Sequence, residues 1–550
     1  MENKKQVPQQ EWWRGCVIYQ IYPRSYADSN NDGIGDLPGI IDKLDYVASL
    51  NVDAIWLSPF FKSPMRDYGY DVSDYRDVDP LFGSLDDFKE LTKKAHKLGL
   101  KIIIDQVLSH SSDQHPWFID SRKNKTNSKA DWYVWVDPKP DGTPPNNWLS
   151  VFGGPAWQWD SRRAQYYLHN FLESQPDLNF HNLDVQQQLL EDVEFWLQLG
   201  VDGIRLDACN FYFHDNKLRD NPAVPADEEQ TKGVTGANPY GMQRHVYDIT
   251  QPENLNFHKK LRSLFNRYPG SCSLGEIGAD NALEVMADYT EGGDKLFMAY
   301  TFDLLTTEYD SAELEKIVSE VEDTLSDGWP CWSFCNHDVT RAISRLPHTN
   351  GQHSPEQATL LLALLTSLRG SSCVYQGEEL MLPEAEIPFE RIQDPYGIPF
   401  WPEFKGRDGC RTPMPWQADK TQAGFSDVEP WLPIPDEHKK LARDLQENDS
   451  HSALNRWRHF LGWRKQQPAL IYGDFCWLMS STTPPQCLLF ERRSETQRLL
   501  IAVNISAEAQ TLTVLGKDSL EILTASGFKC SYNRNNRQLI LPPWQLCYLQ

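Results

Sequence analysis

Residues 185–208, VQQQLLEDVEFWLQLGVDGIRLDA, carry the pattern that decides the fold. An amphipathic helical repeat over Val185–Leu199 is followed by a short apolar run, Gly203–Asp207, typical of a buried strand. This alternation recurs through the first three-quarters of the chain, and Ser84–Leu98 is a second clear helical pattern. Eight buried strands alternating with helices predict an α/β fold, a closed (β/α)8 TIM barrel. The other candidate strands are Val17–Ile21, Ala54–Leu57, Lys101–Val107, Cys272–Glu276, Leu296–Phe302, Trp332–Cys335 and Ser372–Gln376.

Two features of the spacing set the domain organisation. About 70 residues separate the third strand from the next helical pattern, too many for an ordinary connection between a strand and a helix. After Tyr472 the chain changes to short alternating strands, such as Leu488–Glu491 and Leu499–Val503. The predicted domains are therefore a barrel of residues 1–107 and 180–471, an inserted small domain of residues 108–179, and a C-terminal all-β domain of residues 472–550.

Composition and charge argue against several partners and locations. The chain has 550 residues, of which 77 are acidic and 53 are Lys or Arg, so its net charge is −24. Such a surface repels phosphate backbones and anionic membranes, so we expect no nucleic-acid and no membrane partner. The N-terminal MENKKQVPQQEWWRG lacks the apolar region of a signal peptide. Eleven cysteines, without a metal-ligand CxxC pair and with Cys16, Cys272, Cys331 and Cys373 in apolar runs, predict buried free thiols and a cytoplasmic protein.

Polar residues occur at the ends of several predicted strands, where a barrel of this kind builds its active site. They are Asp67, Tyr70 and Asp71 in DYGYDVSDY, Asp105 and His110 in KIIIDQVLSH, Arg205 and Asp207 in GVDGIRLDA, Glu276 in CSLGEIG, and His337 and Asp338 in CWSFCNHD. Paired carboxylates at one end of a barrel fit glycoside hydrolysis, in which one is the nucleophile or base and the other a protonated acid. An arginine beside the nucleophile would keep it ionised, whereas a less polar setting would raise the pKa of the acid.

The ordered set DQVLSH, GIRLDA, GEIG and NHD resembles the four signature regions of the α-amylase superfamily, glycoside hydrolase family 13. QIYPRSYADSNNDGIGDLPGI near the N-terminus, QPDLN at Gln175–Asn179 and RTPMPW at Arg411–Trp416 resemble its α-glucosidase and oligo-1,6-glucosidase branch. The resemblance extends from about Trp12 to the C-terminus. It implies a TIM barrel (domain A), a domain B inserted after the third strand, and a C-terminal β-sandwich (domain C).

The resemblance also implies a role for each matching residue. Asp207 would be the nucleophile that forms a covalent glucosyl-enzyme, Glu276 the general acid and then the base, and Asp338 the carboxylate that binds sugar hydroxyls and helps to distort the ring. The implied substrate-binding residues are Arg205, which orients Asp207; His110 and His337, which bind hydroxyls; Asp67 and Arg407, a salt-bridged pair that closes the glucose pocket, with Arg407 chosen over Arg411; Tyr70, stacked on the ring; and the rim aromatics Phe152 and Phe171, for which core packing is an equal alternative.

The loop at residues 28–36, DSNNDGIGD, predicts a structural Ca²⁺ or Mg²⁺ site. Its candidate ligands are Asp28, Asn30, Asp32, the carbonyl of Ile34, and Asp36, spaced as in the first part of an EF-hand loop but without the terminal Glu. The alternative is a plain Asx-rich turn. The family's usual Asn before His110 is Ser109 here, which leaves the inter-domain calcium of α-amylases without support. No organic cofactor is expected.

Ala208, directly after the predicted nucleophile, narrows the choice of substrate linkage. The resemblance associates Val at this position with α-1,6 linkages and Ala or Thr with α-1,4 linkages. We therefore expect exo-hydrolysis of terminal α-1,4-linked glucose from maltose, short oligosaccharides and aryl α-glucosides. NFYFHD after Ala208 resembles bacterial α-glucosidases that also transfer glucose to small alcohols, phenols or sugars.

Other functions stay open at this point. An oligo-1,6-glucosidase or a sucrose-acting glucosyltransferase or isomerase would share the whole catalytic set, although no RLDRD-like acceptor motif follows Asp338. A non-catalytic glucosidase-like interaction protein would lack the carboxylates and carry a membrane anchor.

Overall fold

Each of the eight apolar runs forms a parallel strand of one barrel in the computed structural model, which describes residues 11–225, 234, 236–347, 352–514 and 520–550. Residues 1–10, which carry most of the signal-peptide argument, lie outside the described residues. The barrel strands are β1 Val17–Ile21, β2 Ala54–Leu57, β3 Lys101–Gln106, β4 Gly203–Leu206, β5 Cys272–Ile277, β6 Met298–Thr301, β7 Cys331–Ser333 and β8 Ser371–Tyr375.

The barrel is closed and filled with side chains. Its strands are hydrogen-bonded in the order β6-β5-β4-β3-β2-β1-β8-β7, and a parallel bridge between Ala299 and Pro330 closes the ring between β6 and β7. Because successive side chains point to opposite faces, each strand contributes to the interior and to the outer core. An apolar cluster that includes Ile18, Ile103 and Leu274 makes the interior a packed core rather than a pore.

Helices surround the barrel and pack their apolar faces against it. The pattern Ser84–Leu98 forms the helix Leu85–Lys97, whose first turn is closed by a capping box between Ser84 and Asp87. The other helices are Leu37–Ser49, Pro116–Ser121, Leu183–Gln198, Glu253–Phe265, Ala282–Thr290, Asp303–Thr306, Ser311–Thr324, Pro355–Ser367, Gly397–Phe400, Asp436–Lys440, Arg443–Glu447, Ala453–Arg464 and Pro468–Tyr472.

The connection after β3 folds into a small unit beside the active end of the barrel. Its antiparallel sheet contains Trp135–Val136, Gln165–Leu168 and Trp157–Asp160. A bridge between His110 and Asp177 ties the end of this insertion to its beginning. The connection after β2 forms a shorter hairpin of Phe61–Lys62 and Asp74–Val78.

The C-terminal region consists of two antiparallel sheets. One contains Asp474–Trp477, Cys487–Arg493, Arg498–Asn504 and Gln545–Leu549, and the other Gln510–Thr513, Gln538–Leu541 and Ser531–Asn533. Cys530 and Cys547 form a disulfide here, which the sequence analysis does not anticipate, whereas Cys16, Cys272, Cys331 and Cys373 are buried free thiols as expected.

The predicted fold class is confirmed: an α/β barrel, an insertion after its third strand and separate antiparallel sheets at the C-terminus. The domain boundaries at residues 107/108, 179/180 and 471/472 stay predictions. Across the part of the chain that the structure describes, no helix is both long and apolar enough to cross a membrane.

Candidate active site

The carboxyl ends of the barrel strands surround a cavity of about 140 Å³. Asp207 follows β4, Glu276 lies on β5 and Asp338 follows β7, so strands far apart in sequence bring three carboxylates to this cavity. Of the predicted substrate-binding residues, only Arg205 and His337 do not line it, and both lie fully buried behind its wall. The other lining residues are Asp67, Tyr70, His110, Val151, Phe152, Phe171, Gln175, Ala208, Phe302, Tyr396 and Arg407.

Arg205 contacts three carboxylates at the base of the cavity, which we name the Arg205 cluster. Its Nη1 lies 2.8 Å from Asp105 Oδ1 and 2.6 Å from Asp207 Oδ1. Its Nη2 lies 2.6 Å from Glu276 Oε1. One guanidinium therefore orients Asp207 and Glu276 together and leaves the second oxygen of Asp207 available to a bound molecule.

Burial raises the pKa of each acid in the Arg205 cluster, to about 6 for Asp105, about 7 for Asp207 and about 7 for Glu276, although Arg205 acts in the opposite direction. From the sequence we expect Arg205 to keep Asp207 ionised and only the pKa of Glu276 to be raised. Instead the rise is shared, because a single positive charge faces three carboxylates. The cluster thus retains a proton near neutral pH, as general acid catalysis requires.

Arg407 contacts a second set of three carboxylates, which we name the Arg407 cluster. Its Nη2 lies 3.0 Å from Asp67 Oδ1 and 2.8 Å from Asp394 Oδ1. Its Nη1 lies 3.0 Å from Asp338 Oδ1, and Arg411 Nη2 lies 2.8 Å from that same oxygen. Arg407 therefore makes the ion pair with Asp67 that the resemblance implied, while both Arg407 and Arg411 contact Asp338.

The Arg407 cluster differs electrostatically from the Arg205 cluster. Burial alone would raise the pKa of Asp338, but His337, Arg407 and Arg411 hold it below its usual range. Burial acts in the same way on Asp394, but Arg407 holds its pKa below the usual range. Only the pKa of Asp67 is raised, to about 6, by burial against the effect of Arg407. Asp338 and Asp394 are therefore anions at neutral pH.

The two predicted hydroxyl-binding histidines are buried and neutral. Burial lowers the pKa of His110 to about 4 and that of His337 to about 3. His337 Nε2 lies 2.5 Å from the hydroxyl of Tyr70, which donates to Asp105 Oδ2 at 3.1 Å. The ring of Tyr70 lies parallel to His337, with centroids 5.3 Å apart, so this tyrosine packs on the histidine at the cavity wall.

The aromatic residues of the insertion lie beside the cavity. Phe152 stacks on Tyr396 at 4.8 Å between centroids, and Phe171 packs 5.1 Å from His110 and 5.4 Å from Phe211. Both phenylalanines line the cavity and also pack against neighbours, so their binding of substrate stays a prediction.

A second cavity of about 120 Å³ adjoins the first and has a mostly apolar lining that includes Phe211 and Ile249. Ala208, Glu276, Val151, Phe171 and Phe302 line both cavities. Ala208 adopts a left-handed backbone conformation, φ 41°, and its N–H donates to Glu276 Oε2 at 3.2 Å. This small side chain thus stands where the two cavities meet.

Sequence reasoning assigned no role to three residues of the site. Asp105 is recognisable as a polar residue in an apolar strand, and Gln175, in the QPDLN motif, donates to Asp67 Oδ2 at 3.1 Å. Asp394 accepts from the backbone N–H and the side chain of Arg407, but lies in a loop with no local signal. Only the fold of that loop identifies it.

The loop at residues 28–36 is held by hydrogen bonds among its own residues. The Asp28 carboxylate accepts from the N–H groups of Asn30 and Gly33, and Asp36 accepts from Gly39 as the cap of the helix Leu37–Ser49. The oxygen donors fit a hard cation such as Ca²⁺ or Mg²⁺. Over the described ranges, no group of three or more His, Cys, Asp or Glu side chains is arranged to hold a metal. The metal site stays a prediction, and the Asx-turn alternative stays open.

Comparison with protein families and curated proteins agrees with this geometry. The family model described as alpha amylase, catalytic domain, matches residues 20–473. A probable alpha-glucosidase of Rhizobium meliloti (strain 1021) is 51% identical over 98% of this chain and 96% of its own. An oligo-1,6-glucosidase of Heyndrickxia coagulans is 36% identical over 90% of this chain and 92% of its own.

Solved structures agree over the whole chain. The alpha-glucosyl transfer enzyme XgtA is 55% identical, with a TM-score of 0.95 and 99% of each chain covered. A mutant isomaltulose synthase from Erwinia rhapontici NX5, in complex with sucrose, is 32% identical, with a TM-score of 0.88, covering 99% of this chain and 100% of its own. The chain is therefore a glycoside hydrolase of the α-amylase superfamily, family 13, in its α-glucosidase and oligo-1,6-glucosidase branch.

Proposed function

We propose that the protein is a retaining, exo-acting α-glucosidase that releases terminal α-1,4-linked glucose from maltose, short oligosaccharides and aryl α-glucosides. The observation that carries this proposal is the single cavity lined by Asp207, Glu276 and Asp338, with the Asp67–Arg407 ion pair in its wall. The ion pair would bind the hydroxyls of a terminal glucose and block chain extension beyond it.

Two steps of proton and bond transfer follow from these positions. The free oxygen of Asp207 attacks the anomeric carbon while Glu276 gives its proton to the departing oxygen, which leaves a glucosyl-enzyme and an ionised Glu276. Glu276 then takes a proton from water, whose oxygen attacks the anomeric carbon and releases Asp207. Both carboxylates contact the same guanidinium, Arg205, which supports the short separation of about 5–5.5 Å used by retaining enzymes.

The residues on the leaving-group side of the cavity support the choice of α-1,4 linkages and a transfer activity. Ala208 stands beside Glu276 Oε2 and leaves room where a Val would project two methyl groups. The adjoining apolar cavity would accept an aryl group, or a small alcohol or sugar in place of water. The transfer activity of XgtA, named for glucosyl transfer, supports the same reading.

Two related activities keep support of their own. The oligo-1,6-glucosidase of Heyndrickxia coagulans is a relative over most of the chain, and the isomaltulose synthase structure holds sucrose. An α-1,6 hydrolase or a sucrose isomerase would use the same Asp207, Glu276 and Asp338. The retained carboxylates argue against a non-catalytic interaction protein.

The test compares initial rates on maltose, isomaltose, sucrose and trehalose for the purified protein, Asp207→Asn and Ala208→Val. We expect maltose to lead, Asp207→Asn to lose at least about 10⁴-fold in kcat, and Ala208→Val to raise the isomaltose-to-maltose ratio. Isomaltose or sucrose as the leading substrate would overturn the linkage and keep the mechanism. Equal rates for Asp207→Asn and the unmutated protein would overturn the mechanism.

A further inference from the structure

Tyr300 lies beneath the predicted acid and is the side chain of β6 that reaches the Arg205 cluster. It is 2% exposed, and its hydroxyl lies 2.9 Å from Glu276 Oε1. The same hydroxyl lies 2.8 Å from Arg205 Nη2 and 3.2 Å from Arg205 Nε. The apolar run Leu296–Phe302 gives no sign of this role, because one tyrosine in a buried strand is ordinary core composition.

The hydrogen-bond inventory fixes the direction of each of these contacts. A guanidinium has five N–H donors and no acceptor, so the Tyr300 oxygen accepts both bonds from Arg205. A phenol has one proton, and the remaining neighbour is Glu276 Oε1, so Tyr300 donates to that oxygen. Arg205 Nη2 also lies 2.6 Å from Oε1, as an ion-pair contact.

Glu276 Oε1 therefore accepts the hydrogen bond of the phenol and lies against the positive charge of Arg205. A proton placed on Oε1 would oppose both the guanidinium and the phenol. From the residues that the structure describes, the other oxygen, Oε2, accepts only the weaker bond of the Ala208 N–H at 3.2 Å, and Ala208 stands where the two cavities meet. The carboxylic acid has one oxygen suited to hold the proton, and it is the one on the leaving-group side.

We propose that Tyr300 is a positioning residue that keeps the acidic proton of Glu276 on Oε2, facing the bond to be broken. Arg205 alone would not do this, because its Nη2 donates its hydrogen bond to the Tyr300 oxygen. The phenol supplies the hydrogen-bond donor to Oε1, and it accepts hydrogen bonds from Nε and Nη2 of Arg205. The inference deepens the proposed α-glucosidase function and rests on it.

The test exploits substrates that differ in their need for a proton. Maltose leaves as a sugar alkoxide unless Glu276 protonates it, whereas p-nitrophenol leaves as a stabilised phenolate with little help. For Tyr300→Phe we expect kcat/KM on maltose to fall about tenfold or more and kcat/KM on p-nitrophenyl α-glucoside to change by less than about threefold. Tyr375→Phe on β8 is the matched control, since that buried hydroxyl has no hydrogen-bond partner among the described residues, and we expect kcat/KM on both substrates to be unchanged.

A merely structural role predicts a different result. Equal losses on both substrates, or no loss on either, would overturn the proposal. Far-ultraviolet circular dichroism melting of both variants shows whether a loss on maltose comes with a loss of folded protein.

An infrared titration of the free protein separates this inference from the proposed function. The C=O band of protonated Glu276 is identified by its disappearance in Glu276→Gln. Oε1 is the carbonyl oxygen in our assignment, so Tyr300→Phe removes its phenol donor and should move the band to higher wavenumber. The band should not move in Tyr375→Phe. An unmoved band would overturn the assignment even if the unmutated protein hydrolyses maltose. A moved band in a protein without activity on α-glucosides would overturn the proposed function instead.

Discussion

The Arg205 and Arg407 clusters have similar compositions, but the pKa values of most of their carboxylates shift in opposite directions. Each has a buried arginine in contact with three carboxylates within one active site. In the Arg205 cluster burial raises the pKa of all three acids, to about 6 or 7. In the Arg407 cluster the pKa of Asp338 and Asp394 stays below its usual range.

The difference comes from the number of positive charges and donors. Arg411 gives the Arg407 cluster a second guanidinium, and the backbone N–H of Arg407 donates to Asp394 at 2.7 Å. The Arg205 cluster has one guanidinium for three acids. A cluster with too few positive charges for its carboxylates keeps a proton available for catalysis. A cluster whose charges nearly balance keeps its carboxylates ionised, and these can bind hydroxyls.

The largest effect should follow from removing the cation of the Arg205 cluster. Arg205→Met leaves three carboxylates buried without a partner charge, so we expect the free energy of unfolding at pH 8 to fall by about 3–5 kcal/mol and kcat to fall at least about 10³-fold. Denaturant titration and maltose rates measure both. The control is Arg464→Met, a buried arginine that donates to backbone carbonyls, including those of Thr366 and Gly15. Unchanged stability in Arg205→Met would contradict the account.

The same carboxylate-to-amide change should have opposite signs in the two clusters. The folded pKa of Glu276 is about 7, above the unfolded value of about 4.3. The folded state therefore binds more protons between these values, and its stability falls as pH rises through that window. Glu276→Gln removes this cost, and we expect it to stabilise the protein by roughly 3–4 kcal/mol at pH 8 and little at pH 4.

Asp338 supplies the opposite case. Its folded pKa lies below the unfolded value, so its charge stabilises the protein above about pH 3.9, and this contribution is lost as pH falls through the folded pKa. We expect Asp338→Asn to be less stable than the unmutated protein at pH 8. Calorimetry of both variants at pH 5 and pH 8 measures the pair. Shifts of the same sign at pH 8 would refute the contrast between the clusters.

Arg411→Met should make the Arg407 cluster resemble the Arg205 cluster. With one guanidinium left, the pKa of Asp338 rises and the site binds sugar less well. Isothermal titration should show the Kd for glucose raised about tenfold, because one of the two guanidinium groups that contact Asp338 is lost. Arg411→Lys keeps the charge and should restore much of the affinity. Equal weakening in both variants would assign the effect to shape rather than charge.

The smallest effect concerns the loop at residues 28–36, outside both clusters. If it binds Ca²⁺ or Mg²⁺, adding the ion at about five times its Kd should stabilise the folded protein by roughly 1 kcal/mol. EDTA should lower the melting temperature and leave the pH profile of kcat unchanged. Asp32→Asn should abolish the response, with Asp141→Asn, in another surface turn, as the control. A melting temperature indifferent to EDTA and to both ions would favour the plain Asx turn.

The sequence alone determined the barrel, the insertion after its third strand and the three carboxylates of the candidate active site. Alternation of apolar strands and amphipathic helices is a local property, because each element must bury one face. Asp207 and Glu276 are recognisable because each places a charge at the end of a buried strand, where a barrel brings distant residues together.

Only the tertiary structure decided how these groups share charge. Asp394 and Tyr300 have no local signature, since a loop aspartate and a strand tyrosine are ordinary residues until the fold places them against Arg407 and Arg205. The shared rise of pKa in the Arg205 cluster likewise depends on burial and on the ratio of cations to anions within a few ångströms. The charge of a buried group depends on all of its neighbours in space, and many of these are distant in sequence.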